Sequence, residues 1–320
     1  MYSKQEPPFA IQVEMTEGCN LMCNFCGIHG IRSKAGDYKF MAPITAAAIA
    51  NGIKCAGWNS RIEFAMHGEP TLNTQYTRIV QAFRVALPHS QLMMTTNGAG
   101  LLKGELNNNI RALFEAGLNL LAIDDYSFSK AATVIRERID HVLNVCDYPK
   151  DGLNLSPHRR WPPRTKQVIF IEDLNAAKQG SHSKLTNHCG AAGKPTAEPV
   201  KQRCAKPFRE LSVRWDGSVA LCCNDWRGIY KIASAATDTT SLEHIWNGAA
   251  FTSARKKLYA ADRNFGACKG CDYTTYRNGL LPDKLGRETM EPANDVDEHI
   301  IRMATSGFTL TNIVLRPWEK

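Results

Sequence analysis

Eleven cysteines occur in this 320-residue sequence, and seven of them fall into two compact spacing patterns. The first pattern is C-x3-C-x2-C near the N-terminus, and the second combines a separated pair with a later C-x2-C. Grouped thiols at this density indicate metal binding, because disulfide-rich proteins are normally shorter and need an export signal. We therefore expect two metal sites, formed by Cys19, Cys23 and Cys26 and by Cys204, Cys222, Cys268 and Cys271.

The first cysteine group comes directly after an apolar, β-rich run at residues 9–15. Sites in parallel α/β proteins gather at the C-terminal ends of the strands, because the connecting loops converge there. Three thiolates can hold three irons of a 4Fe–4S cube and leave the fourth iron without a protein ligand. An open coordination position indicates chemistry rather than a purely structural role, as it does for catalytic zinc.

The elements that must position this group alternate between strand and helix. Apolar residues recur at helical spacing within residues 76–87, 106–114 and 134–143. The spacing is typical of βαβ units and predicts a parallel sheet, either open or closed into a barrel, with room for one further strand before residue 168. The β-rich runs lie at residues 9–15, 62–66, 92–96, 118–123 and 168–171.

Beyond residue 171 this alternation ends. Residues 175–209 are rich in Gly, Lys, Pro and Ala, and we interpret them as a linker or lid. Alternating residues around Asp216-Gly217 predict a β-hairpin, and a helical segment with Trp246 on its apolar face follows. We divide the chain into a core, a basic linker or lid, a smaller α+β domain and an extension of unknown role, at residues 1–175, 176–203, 204–280 and 281–320.

Short motifs at the predicted ends of four strands resemble those of the radical SAM superfamily. The first is the three-cysteine motif, with the aromatic Phe25 before its last cysteine. The other three follow the second, third and fourth strands in the order that the superfamily has. They are His67-Gly68-Glu69-Pro70, similar to Gly-Gly-Glu-Pro, then Thr95-Thr96-Asn97-Gly98, similar to Thr-Asn-Gly, and Ile123-Asp124-Asp125.

This resemblance implies a partial (βα)6 barrel with a 4Fe–4S cluster and S-adenosylmethionine (SAM) inside its open top. His67 departs from the family's glycine, which is tolerable because a main-chain carbonyl receives the methionine amino group there. An electron, from a donor such as flavodoxin or ferredoxin, would cleave SAM to a 5′-deoxyadenosyl radical that takes a hydrogen atom from substrate. The cofactor-binding residues it implies are Phe25, His67, Gly68, Glu69, Pro70, Asn97 and Asp124, beside the cluster ligands Cys19, Cys23 and Cys26.

The second cysteine group reads C-x12-G-x4-C followed by C-x2-C. Its spacing alone also fits a four-cysteine zinc ribbon. Behind a radical SAM core, it resembles the SPASM domain and its shortened relative, the twitch domain, which holds one auxiliary cluster. The resemblance implies one auxiliary 4Fe–4S cluster on all four cysteines, since no cysteine follows Cys271. Such a cluster has no vacant iron, so its implied role is to pass an electron, as in a twitch-type dehydrogenase that oxidises a carbinol carbon.

Four cysteines belong to neither group. Cys55 and Cys146 fall in segments that we interpret as helical, where they would be packing residues. Cys223 is interpreted as a small, buried or partly buried thiol. Cys189 lies in the predicted lid and is either such a thiol, a contact to substrate, or a replacement for Cys204 as a ligand.

Basic residues are concentrated in one part of the chain. The formal net charge is +8, and residues 156–214 hold twelve Lys or Arg against four Asp or Glu, so the remainder is neutral on balance. We interpret this stretch as a solvated bridge between domains that offsets negative cofactors, with phosphate or nucleic-acid binding as the alternative. Arg159 and Arg160, candidates for binding a substrate anion, join Cys189 as the catalytic candidates.

The sequence predicts a soluble, cytoplasmic enzyme, since it has no apolar stretch of signal-peptide or membrane-spanning length. The favoured substrate is a small polar metabolite that undergoes oxidation or bond formation. A peptide is less favoured, because only eight residues precede the first strand, where peptide-modifying relatives usually carry a binding domain. A nucleotide or nucleic acid is the third class. A non-catalytic iron–sulfur carrier or sensor is disfavoured by the three-cysteine motif and by Gly68-Glu69-Pro70.

Overall fold

Strands and helices alternate through the first half of the chain, as a computed structural model of the protein shows. The structure describes residues 5–23, 25–31, 36–126, 129–139, 145–148, 166–171, 186–234 and 241–273. Its strands are β1 (Ala10–Val13), β2 (Thr16–Glu17), β3 (Lys39–Phe40), β4 (Arg61–Phe64), β5 (Leu92–Thr96), β6 (Leu120–Asp124), β7 (Val145–Tyr148), β8 (Gln167–Ile171), β9 (Glu210–Val213), β10 (Ser218–Ala220) and β11 (Lys231–Ser234). Its helices are α1 (Pro43–Cys55), α2 (Tyr76–Ala86), α3 (Leu106–Glu115), α4 (Ala131–Arg138), α5 (Lys206–Arg209), α6 (Leu242–Asn247) and α7 (Ala249–Tyr259).

Nine of the described strands form one sheet in the order β11-β10-β9-β1-β4-β5-β6-β8-β7. From β1 to β7 in this order, every neighbouring pair is parallel. Within the described residues the sheet has two edges, β11 and β7, and does not close on itself. The prediction of an α/β fold with a parallel sheet is confirmed, and all five predicted strands are present.

The strand missing from the sequence prediction is β7, which lies at the edge of the sheet beside β8. The assignment of Cys146 to a helical segment is therefore wrong. Helix α4 ends at Arg138, and the next residue, Ile139, already has an extended backbone with φ −68° and ψ 140°. The apolar stripe used for the prediction thus runs past the end of the helix, because periodicity does not mark where a helix stops.

Helices α1, α2 and α3 cover the parallel sheet with their apolar faces. In α2 the predicted stripe is confirmed, since Ile79, Val80 and Phe83 are fully buried. The ring of Phe83 packs edge-on against Phe64 of β4 at a centroid distance of 5.2 Å. Helix α1 begins with Pro43 in its first turn, where proline's missing N–H is not needed. These contacts fix the strand ends that carry the site loops.

The second half of the chain continues the same sheet. Strands β9 and β10 form the predicted antiparallel hairpin, whose turn is closed by the Asp216 carboxylate accepting from Ser218 N–H at 2.9 Å, while Gly217 has φ +80°. Strand β9 also pairs parallel with β1. Helices α6 and α7 pack around the fully buried Trp246, whose ring stacks on the Arg255 guanidinium at 4.0 Å.

Several predictions fall outside the described residues, including Arg159, Arg160 and the extension at 281–320. Within the described part of the chain, no helix has both the length and the apolar character needed to cross a membrane. Cys55 does end a helix, as predicted, but it is exposed. Its interpretation as a packing residue is therefore wrong, because it lies on the solvent side of α1.

Candidate metal centres

The first cysteine group lies on the loop that follows β1 and β2, as the sequence predicts. Cys26 N–H donates to the Cys23 carbonyl at 3.0 Å, which closes a turn between these two cysteines. The Cys19 sulfur accepts a hydrogen bond from the Leu21 N–H at 3.3 Å. Burial raises the pKa of the Cys19 thiol to about 12, so the free side chain holds its proton. Iron must displace that proton, since a metal-bound thiol is deprotonated.

Asn97, at the end of β5, reaches this cysteine loop. Its side-chain amide donates to the Cys19 sulfur at 3.5 Å and to the Asn20 side-chain oxygen at 2.9 Å. Its backbone N–H donates to the Glu69 carboxylate at 2.7 Å. The structure thus brings together Asn97, Glu69 and Cys19, three residues that the sequence assigned to one cofactor site.

Glu69 is buried, and its carboxylate is hydrogen-bonded to both loops that follow β4 and β5. Its carboxylate accepts hydrogen bonds from the Thr71 N–H at 3.0 Å, the Thr71 hydroxyl at 2.6 Å, the Thr96 hydroxyl and the Asn97 N–H. Burial raises the pKa of Glu69, and these hydrogen bonds lower it in part. The carboxylate is therefore fully engaged within the protein and serves to join the two loops.

Gly68 lies against the loop that leads into the cysteine group. It forms an isolated parallel bridge with Gly18, and Glu69 N–H donates to the Gly18 carbonyl at 2.9 Å. A Cβ atom at Gly68 would lie 2.3 Å from the Thr16 carbonyl oxygen and 2.4 Å from that of Gly18. Only glycine allows this close approach of two backbones. Pro70 follows at the start of a 3₁₀ turn, for which Glu69 is the N-cap.

Tyr126 contacts both Phe25 and Asp124 on another side of the cysteine loop. The Phe25 and Tyr126 rings lie 6.2 Å apart, and the Tyr126 hydroxyl donates to the Asp124 carboxylate at 3.1 Å. Burial and the nearby Asp124 charge raise the pKa of Tyr126 well above its usual range, so this hydroxyl is protonated. Asp124 ends β6, as predicted, and the same sheet edge carries all the assigned SAM-site residues.

His67 points away from this site and into the second half of the chain. It is fully buried, its Nε2 lies 2.8 Å from the Cys223 carbonyl oxygen, and its ring packs on Trp226 at 4.7 Å. Its Nδ1 lies 2.8 Å from Glu14 Oε1, a close approach without the alignment of a good hydrogen bond. The His67 side chain therefore has a structural partner, which the sequence alone did not predict.

The second cysteine group surrounds a single cavity. All four predicted ligands line it, although they come from a loop, the hairpin and a late turn. Cys189 lines the same cavity, so the structure places it with the metal candidates rather than near the first cysteine group. The five thiols of the cavity belong to Cys189, Cys204, Cys222, Cys268 and Cys271.

Two cations also line this cavity, Lys206 and Arg263. Both are buried, with 5% and 2% of their surface exposed. The Lys206 ammonium donates to the Glu210 carboxylate at 3.2 Å and to the Cys223 sulfur at 3.1 Å. Positive charge thus lies beside the thiols, partly offset by Glu210 and by the buried Asp225, which lines the same cavity.

Thiolates are ligands of iron–sulfur clusters, and both cysteine groups offer several of them on converging segments. The donor sets of three thiols on one loop and of thiols lining one cavity thus fit the two 4Fe–4S clusters of the sequence prediction.

Trp226 connects the two cysteine groups. Its ring packs on Gly27, where a Cβ would lie 2.5 Å from the indole, and Cys26 lies against the same apolar cluster. Its indole N–H donates to His188 Nδ1 at 3.1 Å, and His188 precedes Cys189 of the second cavity. One side chain therefore spans from the first cysteine loop to the wall of the second site.

The interpretation of the basic stretch as a solvated bridge is wrong for residues 206–214, although Lys194 and Lys201 before them are exposed. Lys206 and Arg209 are buried, and Arg214 forms ion pairs with Glu14 at 3.6 Å and with Glu17. Lys206 and Arg214 act inside the protein, where carboxylates of Glu210, Glu14 and Glu17 pair with them. Sequence reasoning also missed Trp226 and Arg263. Trp226 follows Cys222 by four residues, which was an available signal, whereas nothing local marked Arg263.

Comparison with protein families identifies both halves of the chain. The family model of the radical SAM superfamily matches residues 13–148, and that of the SPASM iron–sulfur cluster-binding domain matches residues 204–272. The chain belongs to the radical SAM superfamily and carries a C-terminal SPASM domain. Its two domains imply a SAM-binding 4Fe–4S cluster, auxiliary iron–sulfur binding and SAM as cofactors.

The curated relatives match one part of the chain. GTP 3′,8-cyclase 2 of Mycobacterium tuberculosis (strain ATCC 25618 / H37Rv) is 31% identical over 137 residues, 42% of this chain and 36% of that protein. GTP 3′,8-cyclase of Mycobacterium marinum (strain ATCC BAA-535 / M) is 28% identical over 138 residues, 43% of this chain and 36% of that protein. The chain thus spans little more than a third of the length of the curated relatives it matches.

Solved structures match most of the chain. The crystal structure of BtrN in complex with AdoMet and 2-DOIA has a TM-score of 0.64 at 20% identity and covers 84% of this chain and 94% of that one. Selenomethionine BtrN in an open conformation has a TM-score of 0.55 at 18% identity, covering 83% and 93%. These likenesses establish the fold, in which a radical SAM core precedes an auxiliary cluster domain.

Proposed function

We propose that this enzyme oxidises a small polar metabolite by radical chemistry, with the auxiliary cluster as the acceptor of one electron. The observation that carries the proposal is the cavity lined by thiols at the second site, joined to the first cysteine loop by Trp226. When bound, SAM and its cluster supply a radical that removes a hydrogen atom, and the auxiliary cluster takes the electron that remains.

The chain's own residues position and enclose this chemistry. Cys19, Cys23 and Cys26 would hold the SAM-binding cluster, and Asn97 orients Cys19 through its amide contact to the sulfur. Gly68 brings the β4 loop against the cysteine loop. Asp124, held by the Tyr126 hydroxyl, is our candidate for contacting SAM or substrate. Exclusion of water from the loaded site would protect a reactive radical from side reactions.

The assignment of four ligands to the auxiliary site supports a role in electron transfer. With Cys204, Cys222, Cys268 and Cys271 all bound, no iron is open to a substrate. The buried cations Lys206 and Arg263 favour uptake of an electron, because positive charge stabilises the more negative, reduced cluster. An external one-electron donor of the flavodoxin or ferredoxin type would be needed to start each turnover.

A small, hydroxyl-bearing substrate is favoured by the similarity to BtrN over most of both chains. The BtrN crystal structure contains AdoMet and 2-DOIA. The two chains share the arrangement of a core and one compact auxiliary domain. We therefore propose that substrate screening should begin with cyclitols, amino sugars and other polyols, and that oxidation of a carbinol carbon is the reaction to look for.

The test is anaerobic reconstitution followed by turnover with SAM, a reductant and a panel of polyols. We expect 5′-deoxyadenosine together with a substrate product two hydrogens lighter, both measured by mass spectrometry. Cys23→Ala should form neither. Cys222→Ala should still form 5′-deoxyadenosine, since its SAM site is intact, but should lose the oxidised product. If Cys222→Ala oxidises substrate as fast as wild type, the auxiliary cluster is not the electron acceptor.

A nucleotide substrate is the second candidate, supported by the relatives named GTP 3′,8-cyclase, at 31% identity over 137 residues for one of them. This similarity lies in less than half of the chain, and four described basic residues of the second half, Lys206, Arg209, Arg255 and Arg263, are buried. Incubation with GTP, SAM and reductant distinguishes the two candidates. Conversion of GTP, with no reaction of the polyol panel, would replace our first proposal with this one.

A further inference from the structure

Arg263 lines the auxiliary cavity, and its guanidinium is hydrogen-bonded to the segment that leads into Cys204. Its Nε donates to the Gln202 carbonyl at 2.7 Å, and its Nη2 donates to the Arg203 carbonyl at 2.8 Å. These two residues directly precede Cys204 and belong to no helix or strand of the structure. The backbone that carries this proposed ligand therefore receives its hydrogen bonds from a side chain and not from a neighbouring strand.

The same guanidinium also holds the chain just after Cys271. Its Nη1 donates to the Tyr273 carbonyl at 2.6 Å. Cys271 itself follows the 3₁₀ turn Gly266–Gly270 and has an extended backbone, with φ −85° and ψ 128°. Arg263 thus connects two segments that are distant in the sequence, and each of them carries one thiol of the cavity.

The end of helix α7 fixes the position from which Arg263 reaches the cavity. The helix ends at Tyr259, and in the turn that follows the Asp262 N–H donates to the Lys257 carbonyl at 2.9 Å. The Tyr259 carbonyl accepts a hydrogen bond from Arg203 Nε at 2.8 Å. The helix end therefore holds both the turn that leads to Arg263 and one of the segments to which Arg263 donates.

A guanidinium suits this arrangement for a geometric reason. It has five N–H donors in a rigid planar fork, so one side chain can bind carbonyls that approach from different segments. All three partners of Arg263 are neutral carbonyl groups, which orient its positive charge without cancelling it. A lysine at this position would keep the charge, but its hydrogen bonds would all have to converge on one nitrogen.

We propose that Arg263 is the positioning residue of the auxiliary cluster. It fixes the backbones beside Cys204 and Cys271 so that their thiolates are held for one cluster, and it keeps a positive charge next to that cluster. This inference rests on the proposed auxiliary cluster and extends it, because the proposed ligands come from separate segments. The two contributions can be separated, since lysine keeps the charge without the fork and glutamine keeps neither.

The experiment uses the full chain carrying Cys19→Ala, Cys23→Ala and Cys26→Ala, so that only the auxiliary cluster remains. In this parent protein we compare Arg263→Lys with Arg263→Gln. The first readout is the rate at which a chelator removes iron after anaerobic reconstitution. The second is the reduction potential of the cluster, from a redox titration followed by EPR. A residue that only stabilised the fold would not move this potential.

The matched control is Arg84→Gln in the same parent. Arg84 also binds main-chain carbonyls, with its Nε 3.0 Å from the Gly117 oxygen and its Nη1 2.9 Å from the Ser90 oxygen. It belongs to the core and is not among the residues that line the auxiliary cavity. We expect Arg84→Gln to lower the unfolding midpoint and to leave the iron release rate and the potential at the values of the parent.

We expect both Arg263 variants to lose iron at least about ten times faster than the parent, since outer partners of metal ligands typically have effects of this size. Arg263→Gln should also have a lower reduction potential, because the more negative, reduced cluster loses a neighbouring positive charge. Arg263→Lys should stay near the potential of the parent.

Iron release from Arg263→Lys at the rate of the parent would overturn the positioning role. Equal release from Arg263→Gln and Arg84→Gln would overturn it as well, and an unchanged potential in Arg263→Gln would overturn the role of the charge. If Arg263→Gln is insoluble, the release rate of Arg263→Lys decides alone.

Failure of the proposed function has a different signature. If the parent triple variant binds no iron at all, the auxiliary cluster itself is wrong, and both proposals fall. If the parent binds iron and the Arg263 variants release it like the parent, only the role of Arg263 is refuted. If Cys222→Ala with an intact SAM site still oxidises substrate, the electron acceptor is refuted and the result for Arg263 stands.

Discussion

His67 Nε2 lies 2.8 Å from the carbonyl oxygen of Cys223, which joins the motif that we propose to bind SAM to the loop of the proposed auxiliary cluster. A carbonyl only accepts hydrogen bonds, so Nε2 carries the hydrogen. Cys223 directly follows Cys222, a proposed ligand of the second cluster. His67, which stands where the family has glycine, thus links the loops of the two proposed metal sites. It does so through its imidazole side chain, which glycine lacks.

We expect His67→Ala to lower the free energy of unfolding by about 2–4 kcal/mol, because it leaves a cavity beside Trp226 and an unpaired carbonyl. Urea denaturation of the iron-free protein measures this change. His89→Ala is the matched control, since His89 is exposed, and it should shift stability by no more than about 0.5 kcal/mol. Equal stabilities of the two variants would contradict the structural role of His67.

Gly68→Ala should disrupt the site, because the new methyl group would meet two backbone oxygens at 2.3 and 2.4 Å that cannot rotate away. We expect a loss of about 3 kcal/mol in stability and of SAM-site iron after reconstitution. Gly193→Ala is the control, since its Cβ would have an ordinary contact of 3.6 Å with Asn187. If both variants bind iron like wild type, the close approach of the two loops is not needed.

Glu69 gives the iron-free protein a specific pH dependence. Its pKa is raised by burial, so the folded state holds this proton more tightly than the unfolded state, where the pKa is about 4.3. The contribution to stability is fully present below that pH and is lost as the pH rises through the raised, folded-state pKa. We expect the stability of wild type relative to Glu69→Gln to fall across this window.

The same variant tests the hydrogen bonds of Glu69. The amide of glutamine cannot accept the Asn97 N–H and the Thr71 N–H together, so one buried donor loses its partner. Above the titration window Glu69→Gln should therefore differ from wild type mainly by an unmade hydrogen bond, about 1–3 kcal/mol. Parallel stability curves over the whole pH range would show that Glu69 does not titrate differently in the folded protein.

Trp226 should show separable effects of packing and hydrogen bonding. Trp226→Phe keeps most of the packing on Gly27 but loses the N–H bond to His188, so we expect a loss of about 1 kcal/mol. Trp226→Ala also leaves a cavity between the two sites, with an expected loss of about 3–5 kcal/mol. Chemical denaturation measures both. Equal losses would mean that the ring itself contributes little.

The sequence predicted the parallel sheet and the cysteine loop well, because both depend on local signals. Apolar runs mark β4, β5 and β6, and each has a motif at its C-terminal end. The meeting of Asn97 with Cys19 follows from topology, since neighbouring parallel strands end at one edge. By contrast, β7 was not located, and its Cys146 was assigned to a helical segment, because apolar spacing continued beyond the end of α4.

The sequence did not allow contacts between distant segments to be predicted. Nothing near His67 indicates a partner 156 residues later, and nothing near Cys189 indicates that it packs against Cys271. Both depend on how β9 and the following loop are placed against the core. Basic residues such as Lys206 resemble a solvated stretch in sequence, but Lys206 is buried and paired with Glu210.

Strand β1 lies inside the sheet, so a chain shortened to its N-terminal half would expose one edge of this strand. This strand hydrogen-bonds to β4 on one side and to β9 on the other, so the C-terminal half covers what would otherwise be an open sheet edge. Without it, β1 would present a row of unpaired backbone groups beside Ile11 and Val13, which are fully buried in the whole protein. Open apolar edges recruit strands from other chains. The auxiliary half thus also protects the core from self-association.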